Sequence, residues 1–322
     1  MRAAIYRATG DSGVLSVEEL PRPEPGPDQV RVRITWSGVN PTDWKTRSGA
    51  TGAPPTDFQV AHQDGAGVVD AVGSEVTDRS PGQRVWVYLA AFGNRWGTAA
   101  EYCVVPSGHT VPLPDDATDE LGASLGVPAV TAAHCLGGVP EQLAETTVLV
   151  AGGAGAVGHF AIELAKHAGA RVVATVSSSE KAELARAAGA DLVVNYRQPG
   201  LLEQVREFAP AVDRVVEVAL GANLELDLAL CRPGTEIVTY AAEADDPVLP
   251  TRRLMNANAA LRFVLLYGVP ATELTAAVAW VERAVGAGAL TTLPLHRFPL
   301  DEVAAAQDAV EGGVVGKVLV AP

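Results

Sequence analysis

Residues Gly153-Ala154-Gly155-Ala156-Val157-Gly158 follow almost directly on the apolar run Thr147-Val148-Leu149-Val150-Ala151 and open a helical pattern. In such a place Gly153 and Gly155 permit a tight turn and let the backbone approach a pyrophosphate. Gly158 lets the helix pack against the strand, and the helix N-terminus offers unpaired N–H donors to an anion. Three spaced glycines alone fit an ordinary strand-to-helix turn equally well. The strand before them and the βαβ series after them make dinucleotide binding the favoured reading.

The tip of the next strand selects between dinucleotides. A carboxylate there hydrogen-bonds the adenosine ribose hydroxyls and repels a 2′-phosphate. This chain has Ser177-Ser178-Ser179-Glu180-Lys181 instead. Hydroxyls and an ammonium suit a 2′-phosphate, and Glu180, placed inside the helix, is expected to point away. Ser177, Ser178 and Lys181 are therefore candidate contacts and NADPH is favoured over NADH. Lys181 as a plain solvated helix residue is the competing reading.

These residues need a scaffold, and the chain supplies one. Before about residue 120 it is strand-rich: Val30-Arg31-Val32-Arg33-Ile34, Gly67-Val68-Val69-Asp70-Ala71-Val72 and Arg84-Val85-Trp86-Val87-Tyr88 read as strands punctuated by turn residues. The Pro21–Pro27 stretch reads as a connector. From about Leu121 helices and strands alternate, starting with a helix through Ala129–Leu136. Strands are expected at 147–151, 171–176, 192–194, 214–218, 236–240 and 261–266, and helices at 156–167, 180–188, 201–208 and 224–230. That alternation predicts a doubly wound parallel sheet. A helix over Glu273–Val285 and the segments Leu293–Phe298 and Lys317–Val320 are expected to return to the first domain.

Composition agrees with an α/β protein of two domains: 322 residues, 48% hydrophobic, 5% aromatic. Few aromatics and many Ala and Val suit strands buried on both faces. A net charge of −14 argues against a nucleic-acid or anionic-membrane partner. The start lacks a long apolar signal core and no apolar run is long enough to span a bilayer, so a cytoplasmic protein is expected. Cys103, Cys135 and Cys231 form no paired motif and read as small buried thiols.

Taken together, the blocks Gly38-Val39-Asn40-Pro41-Thr42-Asp43, Asp64-Gly65-Ala66-Gly67-Val68-Val69, Pro81-Gly82-Gln83-Arg84-Val85, Ala99-Ala100-Glu101-Tyr102, the glycine turn, Asn195-Tyr196-Arg197 and Gly316-Lys317-Val318 resemble the medium-chain dehydrogenase/reductase superfamily. The likeness spans almost the whole chain and is strongest to the quinone oxidoreductase, zeta-crystallin-like branch. It implies a GroES-like, partly barrelled β domain over residues 1–122, completed by 268–322, around a Rossmann domain over 123–267. It also implies a nicotinamide lying between the two, Lys181 and Tyr196 approaching the 2′-phosphate, and a homodimer formed through edge strands.

Zinc-dependent relatives carry Cys, His and Cys ligands at positions that fall here on Asn40, Gln63 and Val127, and the four-cysteine lobe is missing. Zinc favours thiolate and imidazole donors, so no metal is expected. His62 beside that position reads as a hydrogen-bonded structural residue. Without a Lewis acid, reduction of an electrophilic acceptor is the simpler chemistry. The resemblance places Asn40, Asp43 and Thr131 around the nicotinamide and acceptor; Asn40 and Asp43 could instead only cap a turn after their strand. The expected activity is NADPH-dependent, zinc-independent reduction of a quinone or an α,β-unsaturated carbonyl. A pathway-specific enoyl or enone reductase and a cofactor-binding protein with little catalytic activity are the alternatives. Branch members carry tyrosines shortly after the Asn block and residues 44–51 have none, which leaves Trp44 or Trp96 as aromatic walls.

Overall fold

Alternating apolar residues build the first part of the chain as strands β1 (Arg2–Tyr6), β2 (Ser16–Glu19) and β3 (Gln29–Val39), helix α1 (Pro41–Ser48), strands β4 (Gln59–Val60), β5 (Asp64–Val72), β6 (Arg84–Val87), β7 (Tyr102–Pro106) and β8 (Thr110–Pro112), and helix α2 (Asp119–Cys135). Val30, Val32 and Ile34 of β3 point into one cluster with Val69, Val85, Val87, Cys103 and Val105, as a two-residue side-chain period requires.

Next come β9 (Thr147–Ala151), α3 (Ala156–His167), β10 (Arg171–Val176), α4 (Ser179–Ala187), β11 (Leu192–Asn195), α5 (Leu201–Phe208), β12 (Val212–Glu217), α6 (Leu220–Leu230), β13 (Cys231–Thr239), α7 (Thr251–Ala257), β14 (Ala260–Phe263) and α8 (Ala271–Gly286). The six strands β9–β14 form one sheet in the order β11-β10-β9-β12-β13-β14, and every pairing in it is parallel. This is the doubly wound dinucleotide-binding order. All five residues of β9 are buried, the signature of a central strand covered on both faces. The chain closes with β15 (Leu295–Pro299), α9 (Val303–Glu311) and β16 (Lys317–Ala321). β16 pairs antiparallel with β3, adding the last residues to the sheet built by the first hundred.

This computed structural model describes residues 1–51, 54–242 and 245–322. It divides into two compact units, Met1–Pro128 with Thr292–Pro322, and Ala129–Thr291. The sequence reading put the divisions at 122/123 and 267/268. The second moves because α8 buries Ala277, Val278, Trp280, Val281, Ala284 and Val285 and packs on α3 of the parallel-sheet unit. A polar clasp then holds the chain to that unit up to Thr291. The Thr291 amide donates to Glu163 Oε2 at 3.1 Å, and His159 Nε2 lies 3.0 Å from the Thr291 carbonyl oxygen. The helix expected from Ala129 begins ten residues earlier, at Asp119, and contains Pro128. Cys103, Cys135 and Cys231 are free thiols, the first two buried.

Candidate functional site

In the first unit, chemistry gathers where β3 meets α1, β5 and β16. Asn40 precedes α1, and Asp43 in its first turn folds back: Asp43 Oδ2 accepts from the Asn40 amide at 2.7 Å, and the Asp43 amide donates to the Asn40 carbonyl at 3.0 Å. Asp43 is thus a reciprocal helix cap. The side chain of Asn40 is drawn elsewhere. Its Nδ2 donates to Asp64 Oδ2 at 2.6 Å, and its Oδ1 accepts from Lys317 Nζ at 2.8 Å. Lys317 Nζ also donates to the Val39 carbonyl at 3.1 Å. The Val127 amide donates to both oxygens of Asp64 at 2.9 Å. Gly126 is required beside it, because a Cβ there would stand 2.1 Å from Asp64 Oδ1.

All four side chains are buried: Asn40 at 2%, Asp43 at 6%, Asp64 at 0% and Lys317 at 3% exposure. Burial penalises their charged forms. It pushes Asp64 up to about 6 against the opposing pull of Lys317 and the Val127 amide. Burial and then repulsion from Asp64 push Asp43 up to about 8. Burial lowers Lys317, opposed by the two carboxylates. The centre is a compact set of hydrogen-bond donors and acceptors whose protons can be redistributed near neutral pH.

The three positions onto which the resemblance places the zinc ligands of zinc-dependent relatives are engaged in other bonds. Asn40 is held by Asp64 and Lys317, Gln63 Oε1 accepts from the Ala91 amide at 3.1 Å, and Val127 serves Asp64 through its backbone. Among the described residues no group of three or more His, Cys, Asp or Glu side chains is placed to hold a metal ion.

The second centre lies in the parallel-sheet unit. The left-handed residue of the turn is Gly152, with φ of 67°, one position before the glycine pattern. Gly153, assigned to turn formation in the sequence reading, has a different job: a Cβ there would meet the Ala174 Cβ at 2.8 Å. At Gly158 a Cβ would stand 2.4 Å from the Gly152 carbonyl oxygen, so the close helix approach needs glycine. Gly155 is exposed and immediately precedes α3, and a Cβ on it would touch only the Gly152 oxygen, at 3.4 Å. Ala154 is buried, while Ala156 and Val157, half-buried, begin the helix whose first N–H groups have no intrahelical partner. The cradle therefore suits a dinucleotide pyrophosphate, with the open side at Gly155.

The strand tips bring the other candidates alongside. Val176 pairs with Asn195, and the Tyr196 amide donates to the Val176 carbonyl at 3.0 Å, setting Tyr196 beside Ser177. Tyr196 is 51% exposed. Ser178 caps α4, its Oγ accepting from the Lys181 amide at 3.3 Å; Lys181 is half-buried and Glu180 is exposed. Thr131, the remaining candidate, is buried on α2 at 5% exposure and belongs to this second unit. Trp96 packs edge-on against Phe58 at 5.6 Å between ring centroids.

Three features of the two centres were not assigned from the sequence. Lys317 reaches Asn40 across 277 residues, and Gly152 lies outside the pattern that marks the turn. The third is a carboxyl pair. Glu217 at the end of β12 is fully buried, and its Oε1 accepts from the Val218 amide at 2.7 Å and Asn223 Nδ2 at 2.9 Å. Asp227 on α6, also fully buried, has no hydrogen-bond partner among the described residues. Burial and then Glu217 push it up to about 8.

Comparison with known proteins follows the same division. Residues 26–115 match the alcohol dehydrogenase GroES-like domain, and residues 156–283 match the zinc-binding dehydrogenase domain. The 2-haloacrylate reductase of a Burkholderia species is 31% identical over 100% of this chain and 99% of its own. Among solved structures, a mycobacterial quinone oxidoreductase superposes with a TM-score of 0.86 at 32% identity, covering 100% of both chains. A mycobacterial structure complexed with NADPH gives 0.84 at 32% identity over 100% of both chains. An NAD-dependent alcohol dehydrogenase gives 0.87 at 29% identity, again over 100% of both. No helix among the described residues is long and apolar enough to cross a membrane. With a GroES-like unit, a parallel-sheet unit in the dinucleotide-binding order and relatives alike over their whole length, this chain belongs to the medium-chain dehydrogenase/reductase superfamily, in its quinone oxidoreductase branch.

Proposed function

We propose that the protein is an NADPH-dependent, zinc-independent reductase of quinones or α,β-unsaturated carbonyl compounds. The observation that carries this reading is the buried Lys317–Asn40–Asp64 chain beside Asp43. It offers amide and carboxyl groups to a carbonyl oxygen, and it keeps an ammonium 2.8 Å from Asn40 Oδ1, where a dication would be repelled. Asn40 Nδ2 gives one of its two protons to Asp64 and keeps the other to donate to an acceptor oxygen. Thr131 is assigned a second positioning contact. Bound NADPH would supply the hydride.

The phosphate cradle at Gly153, Ala154, Gly155, Ala156, Val157 and Gly158 would hold the pyrophosphate on the α3 N-terminus. Ser177, Ser178, Lys181 and Tyr196 would hold the 2′-phosphate; the NADPH complex of the mycobacterial neighbour supports this choice. The 2-haloacrylate reductase favours an unsaturated, electron-poor acceptor and so keeps a pathway-specific enone reductase as the second reading.

A homodimer completes the reading. β14 is the last strand of its sheet, and Phe263, Leu265 and Met255 in and beside it are 65%, 68% and 70% exposed. An unprotected apolar edge of this kind invites pairing with a second copy. The free thiols suit a reducing, cytoplasmic setting.

The test is turnover of a panel of quinones, enals and enones by metal-analysed protein, followed as loss of NADPH absorbance. Reduction that survives chelation, with NADPH preferred to NADH, is the expected result. Tight NADPH binding without turnover of any acceptor would refute the reductase assignment in favour of a cofactor-binding protein.

A further inference from the structure

Tyr6 carries a hydroxyl that the proposed chemistry leaves unused. Strands β1 and β4 run antiparallel, with Tyr6 directly opposite Gln59 and Ile5 opposite Val60. Directly opposed side chains stand on the same face of a sheet, and neighbours along a strand on opposite faces. Ile5 and Val60 accordingly share one apolar cluster with Ala3 and Ala100, while Tyr6 packs on the other side with Ala4, Val39 and Ala61. That second face brings Tyr6 and Gln59 together into the wall of a cavity of about 90 Å³, which Asp43, Thr46 and Gln63 also line.

The hydroxyl is open to this space. Among the described residues no group hydrogen-bonds Tyr6 Oη, yet it is not one of the buried polar atoms sealed off without a partner, a set that includes Nε2 of His62 in the same wall. Tyr6 Oη therefore keeps accessible surface, although the residue as a whole is only 6% exposed and its ring is packed. Gln59 spends both amide protons on the Val60 and Asn94 carbonyls, so Tyr6 is the donor of the opposed pair. Burial and then Asp43 push its phenol up to about 12, which keeps the proton on the oxygen at neutral pH. Asp43 also ties the cavity to the acceptor centre, since its carboxylate accepts from the Asn40 amide at 2.7 Å.

We propose that Tyr6 is a specificity residue whose hydroxyl donates a hydrogen bond to a second oxygen of the acceptor, other than the carbonyl oxygen assigned to Asn40, so that acceptors with two oxygens are preferred to acceptors with one. This deepens the reductase reading and rests on it for turnover, but not for binding. The cavity equals about three water molecules in volume, room for one edge of a ring. A C–H edge placed there leaves the phenol proton without a partner, which is costly; a carbonyl at the same edge accepts it.

The experiment compares a dimethylated para-benzoquinone with a dimethylated cyclohexenone, with NADPH in excess. Tyr6→Phe keeps the ring and removes only the hydroxyl. Its kcat/KM for the quinone should fall by about three- to tenfold, the worth of one neutral hydrogen bond, and that for the enone should change by less than about twofold. Equal loss on both acceptors would overturn the proposal. The Tm of Tyr6→Phe should stay within about 2 °C of the wild type; a larger fall would show that the hydroxyl serves the fold and would overturn it too. A further readout needs no turnover. In protein labelled with ¹³Cζ-tyrosine and lacking NADPH, the resonance missing from Tyr6→Phe should move on adding the quinone and stay in place with the enone. That response without reduction of either acceptor would sink the reductase reading and keep the Tyr6 assignment. Reduction of both acceptors with an unresponsive Tyr6 resonance would do the reverse.

Discussion

Lys317→Met is the sharpest probe of the buried centre, because methionine keeps the length and apolar stem of the side chain and removes only the ammonium. Lys317 donates to Val39 O and Asn40 Oδ1 and is the cation that opposes the rise of both Asp64 and Asp43. Removing one member of a buried charged set costs about 3–5 kcal/mol, because the remaining charge is left uncompensated. The carboxyls can escape part of that by binding protons. A carboxyl whose folded pKa lies above its unfolded value contributes stability that is complete at low pH and is lost as pH rises through the folded pKa. In the wild type this loss falls on Asp64 from its ordinary 3.8 to about 6 and on Asp43 from 3.8 to about 8. Without the ammonium both values go higher, so the deficit of the variant relative to the wild type should widen from about pH 5 to about pH 8. At the upper end, about 3–5 kcal/mol corresponds to a fall in Tm of roughly 6–20 °C for a unit of this size. The assay is a thermal scan at both pH values, with hydrogen exchange of β3 and β16 amides to assign the loss to the first unit. A fall below about 2 °C, or a deficit independent of pH, would refute the reasoning.

Lys181→Ala should weaken NADPH binding by about ten- to a hundredfold and NADH binding by less than about threefold, measured by titration, since a charge-assisted contact contributes about 1.5–3 kcal/mol; equal losses would mean that the phosphate contact lies elsewhere. Gly158→Ala should unfold or loosen the cofactor unit, its Cβ meeting backbone oxygen at 2.4 Å, whereas Gly155→Ala, with its nearest neighbour at 3.4 Å, should fold normally by circular dichroism and lose affinity for the dinucleotide. Asp227→Asn should stabilise the protein above about pH 7 by at least about 1 kcal/mol and flatten the decline in stability between about pH 4 and pH 8, because the wild-type carboxyl is held at about 8 by burial and Glu217; an unchanged pH profile in a thermal scan would contradict the assignment.

Local pattern was enough for the first half of the parallel-sheet unit, from β9 to α5. A buried strand, a glycine turn and a following helix are neighbours in sequence, and their spacing states their geometry, so β9, α3, β10 and α5 have the ends that periodicity predicts. The glycine turn itself was legible as a tight passage from strand to helix, and the ordered blocks from Gly38 to Val318 were enough to reveal the family. Tertiary structure decided what each of those residues does. The turn's left-handed position is Gly152, one residue before the motif, while Gly158 is needed for the close approach of α3 to the Gly152 carbonyl. Helix α8 joined the parallel-sheet unit because its apolar face found α3. Asn40 became the hub of a charge network only because β16 pairs with β3 and carries Lys317 to it. Burial, proton location and partners across hundreds of residues are properties of packing; the sequence supplied the groups, and the packing set which of them share protons.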